Sequence, residues 1–373
     1  MKIYEKSDIL TVVFFLGGIF LNTSAIQKIL LNSKTDAVII TSPENIYYFS
    51  GFKSADAMLL LTASDCFIFT DSRYFIQAGK QAPFFTLCDI TIETVASKIK
   101  EEGFKLIGFE EEFVTYSSYN KLLSDLSCYD AELVPISRFV SHQRQIKTEK
   151  EIEYIKKAAQ IADNAFSFIL DKIEPGKKEK DIALMLDYYM LKSGAEAIAF
   201  ETICASGVRS AMPHGVASDK VIEKGDFVTL DFGCKYEGYC CDMTRTVVCG
   251  KATNEQKKIY NTVLSAQMAA ISEVKPNIDN AYIDSVARSI IDNAGYGRNF
   301  GHALGHSLGL NVHESPVLSK KSTDKLKSGI FMTVEPGIYI ENFGGVRIED
   351  LLLVTYNGHV NLTTSEKELI ELK

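Results

Sequence analysis

Two segments of the chain have the pattern of apolar antiparallel hairpins, and each hairpin carries an acid on both of its strands. In the first, residues 227–248, a turn centred between Tyr236 and Glu237 places Asp231 directly opposite Asp242 on one face. Like charges in that position destabilise a hairpin. A divalent cation between them reverses the effect, because carboxylates are natural ligands of divalent cations. The alternative for this pair alone is that one aspartate caps the turn.

The second hairpin spans residues 331–355 and carries Glu335 and Glu349. These glutamates are nearly symmetric about the turn at residues 341–345, so we expect them to be near-opposed as well. Pro336 cannot donate to a strand ladder, which predicts a bulge or an edge beside Glu335. One pair of glutamates in an acidic chain is commonly a solvated face. Two such pairs in apolar strands indicate a cation site.

Three of the six histidines, His302, His306 and His313, lie between the two hairpins in a glycine-rich stretch. Imidazole is both a common metal ligand and a proton shuttle at physiological pH. The spacing of His302 and His306 suits one face of a helix, but the neighbouring glycines favour a loop or strand that approaches another element closely. His214, in another loop, is a fourth candidate. The alternative for each histidine is a structural role.

The composition is that of an ordinary globular protein. With 373 residues, 46% hydrophobic residues and a net charge of -8, the chain should form about two domains. No basic cluster indicates nucleic-acid binding. The eight cysteines are scattered, which predicts reduced thiols and a cytoplasmic protein. Cys240 and Cys241 precede Asp242, so a thiolate ligand is an open alternative.

The N-terminal segment is unusual because residues 9–21 are mostly apolar and follow Lys2 and Lys6. This run is too short for an ordinary transmembrane helix but suits the apolar region of a signal peptide. A signal peptide, a membrane-associating extension and an extension outside the fold all fit. We favour the last, over residues 1–22, because a short amphipathic helix begins directly after it. Membrane association is expected only if the extension is retained.

The remainder divides into two predicted domains, residues 23–140 and 141–373, with the boundary near residues 137–145. The first alternates helices and strands, which predicts an α/β domain. Its predicted helices are residues 24–31 and 74–81, and its predicted strands are residues 37–40, 58–61 and 67–69.

The second domain has an internal repeat. Thr148 and Glu151 form a capping box for a long helix, and Thr253 with Gln256 repeats it after 105 residues. A shorter helix, a histidine-bearing loop and an acid-bearing hairpin follow each long helix, with shorter helices predicted over residues 179–192 and 280–294. This order predicts a pseudo-duplicated α+β domain whose two acid pairs meet at its internal axis.

These residues, in this order, resemble the metallopeptidases of the pita-bread fold, the group of Xaa-Pro aminopeptidases, prolidases and methionine aminopeptidases. The resemblance extends from about residue 30 to the C terminus. Residues 35–52 and 70–74 are similar to the N-terminal domain of the Xaa-Pro branch and of creatinase, which a short methionine aminopeptidase lacks. The resemblance therefore implies a pita-bread domain preceded by a smaller creatinase-like α/β domain.

The resemblance also implies two divalent metal ions, with Asp242 and Glu349 bridging them. The implied ligands are Asp231, Asp242, His306, Glu335 and Glu349. Glu335 would also carry the proton from the attacking water to the leaving prolyl nitrogen. His214, His302 and His313 would bind the scissile region, and Arg347 would orient the carboxylates.

The implied ligand set has four carboxylates and one imidazole, which favours manganese, with cobalt, zinc or iron as alternatives. Among the functions of the family, we prefer an Xaa-Pro aminopeptidase acting on proline-containing peptides, and an Xaa-Pro dipeptidase is the alternative. A metal-free, creatinase-type enzyme or a non-catalytic binding module fits less well, because all five ligand positions are filled. Relatives are commonly homodimers, which the resemblance implies here too.

Overall fold

A computed structural model describes residues 23–91, 93–127 and 129–372. The chain divides into two compact units, Met1–Gln143 and Arg144–Lys373. The division falls within the predicted boundary region, residues 137–145, which is a helix. The predicted extension over residues 1–22 lies outside the described residues. Within the described ranges, no helix is long and apolar enough to cross a membrane.

The first unit is built on a six-stranded sheet whose strand order is β4-β3-β2-β1-β5-β6. Its strands are β1 (Ala37–Ile40), β2 (Met58–Thr62), β3 (Cys66–Thr70), β4 (Thr86–Asp89), β5 (Leu106–Phe109) and β6 (Glu132–Pro135). Its helices are α1 (Thr23–Ser33), α2 (Pro43–Ser50), α3 (Phe75–Gln81), α4 (Val95–Glu102), α5 (Tyr116–Ser127) and α6 (Ser137–Gln145), which crosses the division. The helices and strands predicted for this part of the chain are confirmed.

Strand β1 is apolar at every position because both faces of the sheet are covered. Val38 and Ile40 lie in a core with α1 and α2. Ala37 and Ile39 point to the opposite face and lie in a second core with α4. A continuous apolar run is typical of a strand between two layers of helices, so the first unit is an α/β structure.

The second unit has four main helices, in two pairs. They are α7 (Glu149–Leu170), α8 (Glu179–Lys192), α9 (Asn254–Ser272) and α10 (Asn280–Asn293), with short 3-10 helices at Gly207–Ala211 and Gly297–Asn299. Both predicted capping boxes form. The Thr148 and Thr253 side chains accept from the backbone at Glu151 and Gln256, whose side chains accept in return. Each long helix thus starts where the sequence predicts.

Small sheets fill the space beside these helices. The strands are β7 (Ala197–Ile198), β8 (Ile203–Ser206), β9 (Phe227–Phe232), β10 (Cys234–Tyr236), β11 (Tyr239–Cys240), β12 (Met243–Cys249), β13 (Gly305–Ser307), β14 (Glu314–Leu318), β15 (Phe331–Val334), β16 (Gly337–Ile340), β17 (Gly344–Arg347), β18 (Asp350–Val354), β19 (His359–Asn361) and β20 (Glu371–Leu372). The four-stranded sheet β20-β12-β9-β8 contains the first hairpin, and β15 to β18 form the second. The predicted order of long helix, shorter helix, histidine loop and hairpin occurs twice.

The second hairpin packs against α9 and α10. Val263 of α9 and Ile283 of α10 share one core with Met332 and Val346 of the hairpin, and all four are fully buried. Burying a branched or long aliphatic side chain stabilises the folded state by about 1.5–3 kcal/mol. The hairpin that carries Glu335 is therefore anchored by its apolar face, which leaves its other face for polar side chains.

Candidate metal centre

The first hairpin has a different register from the predicted one. Asp231 lies opposite Thr244, not opposite Asp242. The turn is centred one residue later than predicted, on Glu237 and Gly238, which both have positive φ (48° and 79°) as a tight hairpin turn requires. Because this shifts the pairing by two residues, Asp242 remains on the face of Asp231 as its diagonal neighbour. The prediction of direct opposition is wrong, and that of a shared face is correct.

The strand pairing is interrupted between Asp231 and Asp242, where the two strands come unusually close at Gly233. A Cβ atom built on Gly233 would lie 2.0 Å from the carbonyl oxygen of Cys241. No side chain larger than hydrogen fits there without moving the backbone. The close approach of the two strands beside Asp242 therefore depends on the glycine at position 233.

The second hairpin has the predicted register. Gly337 pairs with Arg347 on one side of the acids, and Val334 pairs with Asp350 on the other side. The same register places Glu335 opposite Glu349. The ladder is interrupted at this point, as Pro336 predicted, and β15 and β16 are separate strands.

At the interruption, the backbone of the second hairpin bonds to other elements. The amide of Glu335 donates to the carbonyl of Leu304 (2.8 Å), in the histidine-bearing stretch. The amide of Glu349 donates to the carbonyl of Thr244 in the first hairpin (3.0 Å). These two bonds bring the acids of both hairpins and the histidine stretch to one place.

His306 lies in the short strand β13, not on a helix, which confirms the interpretation of the neighbouring glycines. A Cβ atom on Gly305 would lie 2.0 Å from the carbonyl oxygen of Thr333, so the two strands touch. The His306 Nδ1 atom is 3.0 Å from the Ser307 carbonyl, which only accepts, so Nδ1 carries the proton. The Nε2 lone pair is therefore free for a cation.

That lone pair faces carboxylates. His306 Nε2 is 3.7 Å from Asp242 Oδ2 and 3.4 Å from Glu335 Oε1. Ligand atoms of Asp242, His306 and Glu349 all lie within 4.8 Å of one another. Four of the predicted ligands, Asp242, His306, Glu335 and Glu349, thus lie in one cluster. The fifth, Asp231, is joined to it through Arg347.

The electrostatics of the cluster require positive charge. Burial, and then repulsion by the other carboxylates, raises the pKa of Asp242 and of Glu349 well above its usual range. Burial raises the pKa of Glu335 to about 8, although Arg347 opposes the shift. Within the described part of the chain, three buried carboxylate oxygens have no hydrogen-bond partner: Asp231 Oδ1, Asp242 Oδ1 and Glu349 Oε1. Orphaned buried carboxylate oxygens facing an imidazole lone pair fit divalent cations.

Arg347 links the two hairpins beside the cluster. Its Nη2 atom donates to Asp231 Oδ2 (2.6 Å), and its Nε atom donates to the Thr244 hydroxyl (3.1 Å). The Thr244 hydroxyl then donates to Glu349 Oε2 (2.8 Å). Arg347 thus bonds to one carboxylate directly and to another through Thr244.

His302 and Tyr339 continue this network. Arg347 Nη1 donates to the Tyr339 hydroxyl (2.8 Å), which lies 2.9 Å from His302 Nε2. Burial, the largest cause, lowers the pKa of His302 to about 4, and the charges of Arg347 and Arg288 lower it further. His302 is therefore a neutral acceptor for the Tyr339 hydroxyl proton.

The other two histidines also lie nearby. The His313 ring is 4.5 Å from the His306 ring, edge to face. The carbonyl of Pro213, the residue before His214, accepts from Arg347 (3.2 Å). The structure therefore brings all four predicted histidines to the same region.

The alternative thiolate ligands do not join the cluster. Cys240 Sγ is directed at the carbonyl of Leu310 (3.5 Å), and Cys241 Sγ lies 3.8 Å from Cys234 Sγ. Burial raises the pKa of Cys240 to about 12, so its thiol stays protonated. The donor set is one of carboxylates and imidazole.

The sequence matches two family profiles. The profile of metallopeptidase family M24 matches residues 153–356, and that of the creatinase/prolidase N-terminal domain matches residues 23–146. The chain belongs to metallopeptidase family M24. The pita-bread domain, the creatinase-like N-terminal domain and the enzyme class predicted from the sequence are confirmed.

Relatives in this M24 family match along almost their whole length. An Xaa-Pro dipeptidase of Pyrococcus horikoshii is 42% identical over 341 residues, which are 90% of this chain and 94% of the relative. The solved Xaa-Pro dipeptidase of Bacillus anthracis has a TM-score of 0.90 and 42% identity, covering 94% of this chain and 99% of that one. The solved X-Pro aminopeptidase of Thermotoga maritima has a TM-score of 0.85 and 38% identity, covering 92% and 99%.

Sequence reasoning missed three polar residues of this M24 metallopeptidase site. Thr244 follows Asp242 by two positions, and Thr333 and Tyr339 lie two and four positions from Glu335. In a strand, residues separated by even numbers share a face. Strand periodicity alone could therefore have identified all three as neighbours of the acids.

Proposed function

We propose that this M24 metallopeptidase is an Xaa-Pro dipeptidase that uses two divalent metal ions. The observation that carries the proposal is the buried cluster in which carboxylates of two hairpins meet the free lone pair of one histidine. The proposed metal ligands are Asp231, Asp242, His306, Glu335 and Glu349. Four of the five are carboxylates, which favours manganese over softer ions.

Relatives favour the dipeptidase over the aminopeptidase that we preferred from the sequence. The Pyrococcus and Bacillus proteins named as Xaa-Pro dipeptidases are both 42% identical to this chain. The Thermotoga protein named as an aminopeptidase is 38% identical. We therefore adopt the alternative of the sequence analysis, with a proline-containing dipeptide as the substrate.

Bound divalent ions would polarise the scissile carbonyl and lower the pKa of a water molecule. We propose that Glu335 moves the proton from that water to the leaving nitrogen, because its carboxyl oxygen lies within the cluster, 3.4 Å from His306 Nε2. His302 would hold the Tyr339 hydroxyl in place, and Arg347 would orient the Asp231 carboxylate. His214 and His313 would bind the scissile region of the substrate.

The activity test compares three classes of peptide. Protein loaded with manganese, cobalt or zinc is incubated with Leu-Pro, Leu-Pro-Ala and Met-Ala-Ala, and free amino acids are quantified. We expect release from Leu-Pro alone. Cleavage of Leu-Pro-Ala would reassign the protein as an aminopeptidase. No cleavage of either proline peptide with any metal would refute the peptidase proposal.

A second test addresses the ligands. Asp242→Ala should lose bound metal, as measured by elemental analysis, together with activity. Asp219→Ala is the control, because Asp219 is an exposed aspartate paired with surface lysines. An unchanged metal content in Asp242→Ala would refute the assigned ligand role.

We further propose a homodimer in the cytoplasm. The proposal of a cytoplasmic protein is supported by the cysteines, since all seven in the described ranges are buried and free of disulfides. The dimer is proposed from the family resemblance, and light scattering should give twice the 41.5 kDa of the chain. A mass of one chain would refute it.

A further inference from the structure

His302 is held in a single tautomer and orientation. Its Nδ1 atom lies 2.8 Å from the carbonyl oxygen of Ala303, which can only accept, so Nδ1 carries the proton. Its Nε2 atom must then accept, and the donor is the Tyr339 hydroxyl. The direction of the network from Arg347 through Tyr339 to His302 is thereby fixed. Any shift of the backbone at residues 300–304 would break it.

A pair of charged residues on α10 holds that backbone segment. Arg288 donates from Nη1 to the carbonyl of Phe300 and from Nη2 to that of His302, each at 2.9 Å. The Nε and Nη2 atoms of Arg288 also form a two-pronged ion pair with Asp284, at 2.8 Å for each bond. Asp284 Oδ1 accepts from the amide of Leu304 (3.3 Å). Three points of the segment are thus tied to one ion pair.

The burial of Asp284, whose partner Arg288 is partly exposed, is not explained by stability of the helix. An exposed ion pair four residues apart stabilises a helix by only about 0.2–0.5 kcal/mol. The Asp284 side chain is fully buried, in a part of the helix where Ile283 and Ala287 are apolar core residues. A charged side chain there therefore needs an explanation. Replacing a buried ion pair by apolar residues is commonly neutral or stabilising. What an apolar pair could not supply is the set of bonds to the backbone around His302.

The first half of the domain uses the same arrangement for its own histidine loop. Glu179 is fully buried and accepts from the amides of Ser206 and Ser218, on either side of His214. Arg209 pairs with Glu179 at 3.0 Å and donates to a carbonyl within that loop. In both halves, therefore, a buried carboxylate and its arginine fix the backbone that carries a site histidine.

The geometry points to Arg288 and Asp284 as positioning residues for the peptidase reaction. They hold residues 300–304 so that His302 Nε2 meets the Tyr339 hydroxyl, and through Tyr339 they set the orientation of Arg347. Arg288 acts through His302 and not on the substrate, whereas Asp284 also holds the amide of Leu304, whose carbonyl bonds to Glu335. The pair's effect on catalysis rests on the proposed function, whereas its effect on the orientation of His302 does not.

The kinetic test is a double-mutant cycle between Arg288 and His302. Arg288→Ala should lower kcat for Leu-Pro by about 10–100-fold with little change in KM, as is typical of residues that orient a catalytic group. In the His302→Ala background the same substitution should change kcat less than about twofold, because the group that Arg288 positions is absent. An equal loss in both backgrounds would overturn the proposal.

A conservative variant and a control complete the kinetic test. Arg288→Lys keeps the charge but not the planar fork, so its kcat should lie between those of the original protein and Arg288→Ala. Arg298→Ala, at an exposed arginine just beyond the same helix, should leave kcat unchanged. A kcat for Arg288→Lys equal to that of the original protein, at equal thermal stability, would overturn the role of the fork that bonds to both carbonyls.

A second readout does not depend on activity. In protein labelled with ¹⁵N-histidine and loaded with diamagnetic zinc, the His302 signals are assigned by their loss in His302→Ala. We expect the Nδ1–H tautomer in the original protein and a mixture of tautomers in Arg288→Ala. An unchanged tautomer overturns the positioning role. An inactive original protein that shows the expected tautomer change refutes the proposed function alone.

Discussion

Asp242→Asn should have opposite effects on stability with and without metal. Asp242 is 6% exposed, and its charge is repelled by those of Glu349, Asp231 and Glu335. Asparagine has nearly the same size and no charge. In metal-free protein the substitution removes repulsion within a buried cluster and should stabilise the fold. In metal-loaded protein it removes a proposed ligand and should destabilise it.

The size of the effect follows from the pKa values of the cluster. Raising the pKa of Glu335 from 4.5 to about 8 corresponds to about 5 kcal/mol of unfavourable free energy for its ionised form. Asp242 carries a cost of the same kind, because burial and then the charges of Glu349, Asp231 and Glu335 raise its pKa. Asparagine has no charge to bury, so we expect about 1–3 kcal/mol of stabilisation at pH 8. For a domain of this size, the midpoint of thermal unfolding should rise by about 2–4 °C for each kcal/mol.

The dependence on pH has a definite sign. Because the folded-state pKa values of Asp242, Glu349 and Glu335 are raised, metal-free native protein binds more protons than unfolded protein. The stability is therefore fully present below the unfolded pKa values and is lost as the pH rises through the folded ones. For Glu335 that window runs from about 4.5 to about 8. Between these pH values, metal-free Asp242→Asn should lose less stability than the original protein does.

Calorimetry at pH 5 and pH 8, with chelator or with manganese, measures all of these quantities. A metal ion at 100 times its Kd stabilises the folded state by about 2.7 kcal/mol, and Asp242→Asn should lack most of that gain. Asp219→Asn, at an exposed aspartate, should show no reversal. A midpoint for Asp242→Asn that is lower than the original at pH 8 in chelator would refute the reasoning.

Three further substitutions test other parts of the site. Thr244→Val should weaken metal binding by about 10–100-fold in a chelator competition, because Glu349 loses the hydroxyl that orients it. Glu314→Gln should destabilise the protein by about 3 kcal/mol in urea unfolding, since it leaves the buried Lys147 without its carboxylate. Gly233→Ala should destabilise by about 3 kcal/mol and lower the metal content, because its Cβ would meet a carbonyl oxygen at 2.0 Å.

The sequence was most informative where local chemistry decides the structure. The capping boxes at Thr148 and Thr253 form as predicted, because each depends on two residues three positions apart. The second hairpin has its predicted register because apolar residues on both strands and a glycine-rich turn agree. In such segments the local preferences and the tertiary packing favour the same conformation.

The first hairpin shows where local reasoning fails. Its turn is centred on Glu237 and Gly238, and Glu237 adopts a positive φ that glutamate seldom takes. Gly238 suits the turn, but sequence preference gave no reason to place Glu237 beside it at positive φ. The error was two residues in register, and since side chains alternate with a period of two, the face assigned to Asp231 and Asp242 was still correct.

The contacts that assemble the site have no local sequence pattern. Glu349 bonds to the backbone of Thr244, which is 105 residues earlier, and Glu335 to that of Leu304. Only the family resemblance and the internal repeat predicted that the hairpins meet. The roles of Asp284 and Arg288 were not predicted at all, because an aspartate and an arginine four apart on a helix ordinarily indicate a surface pair.

These backbone contacts also bear on how the metal cluster forms. At both glutamates the amide leaves its own hairpin and bonds to another element, so the positions of the acids are set by the main chain. Arg347 and Thr244 then orient the carboxylates without any ion. The repulsion among the acids is therefore built into the fold before metal binds. Metal binding relieves that repulsion, which is why the sign of the Asp242→Asn effect on stability should depend on the ion.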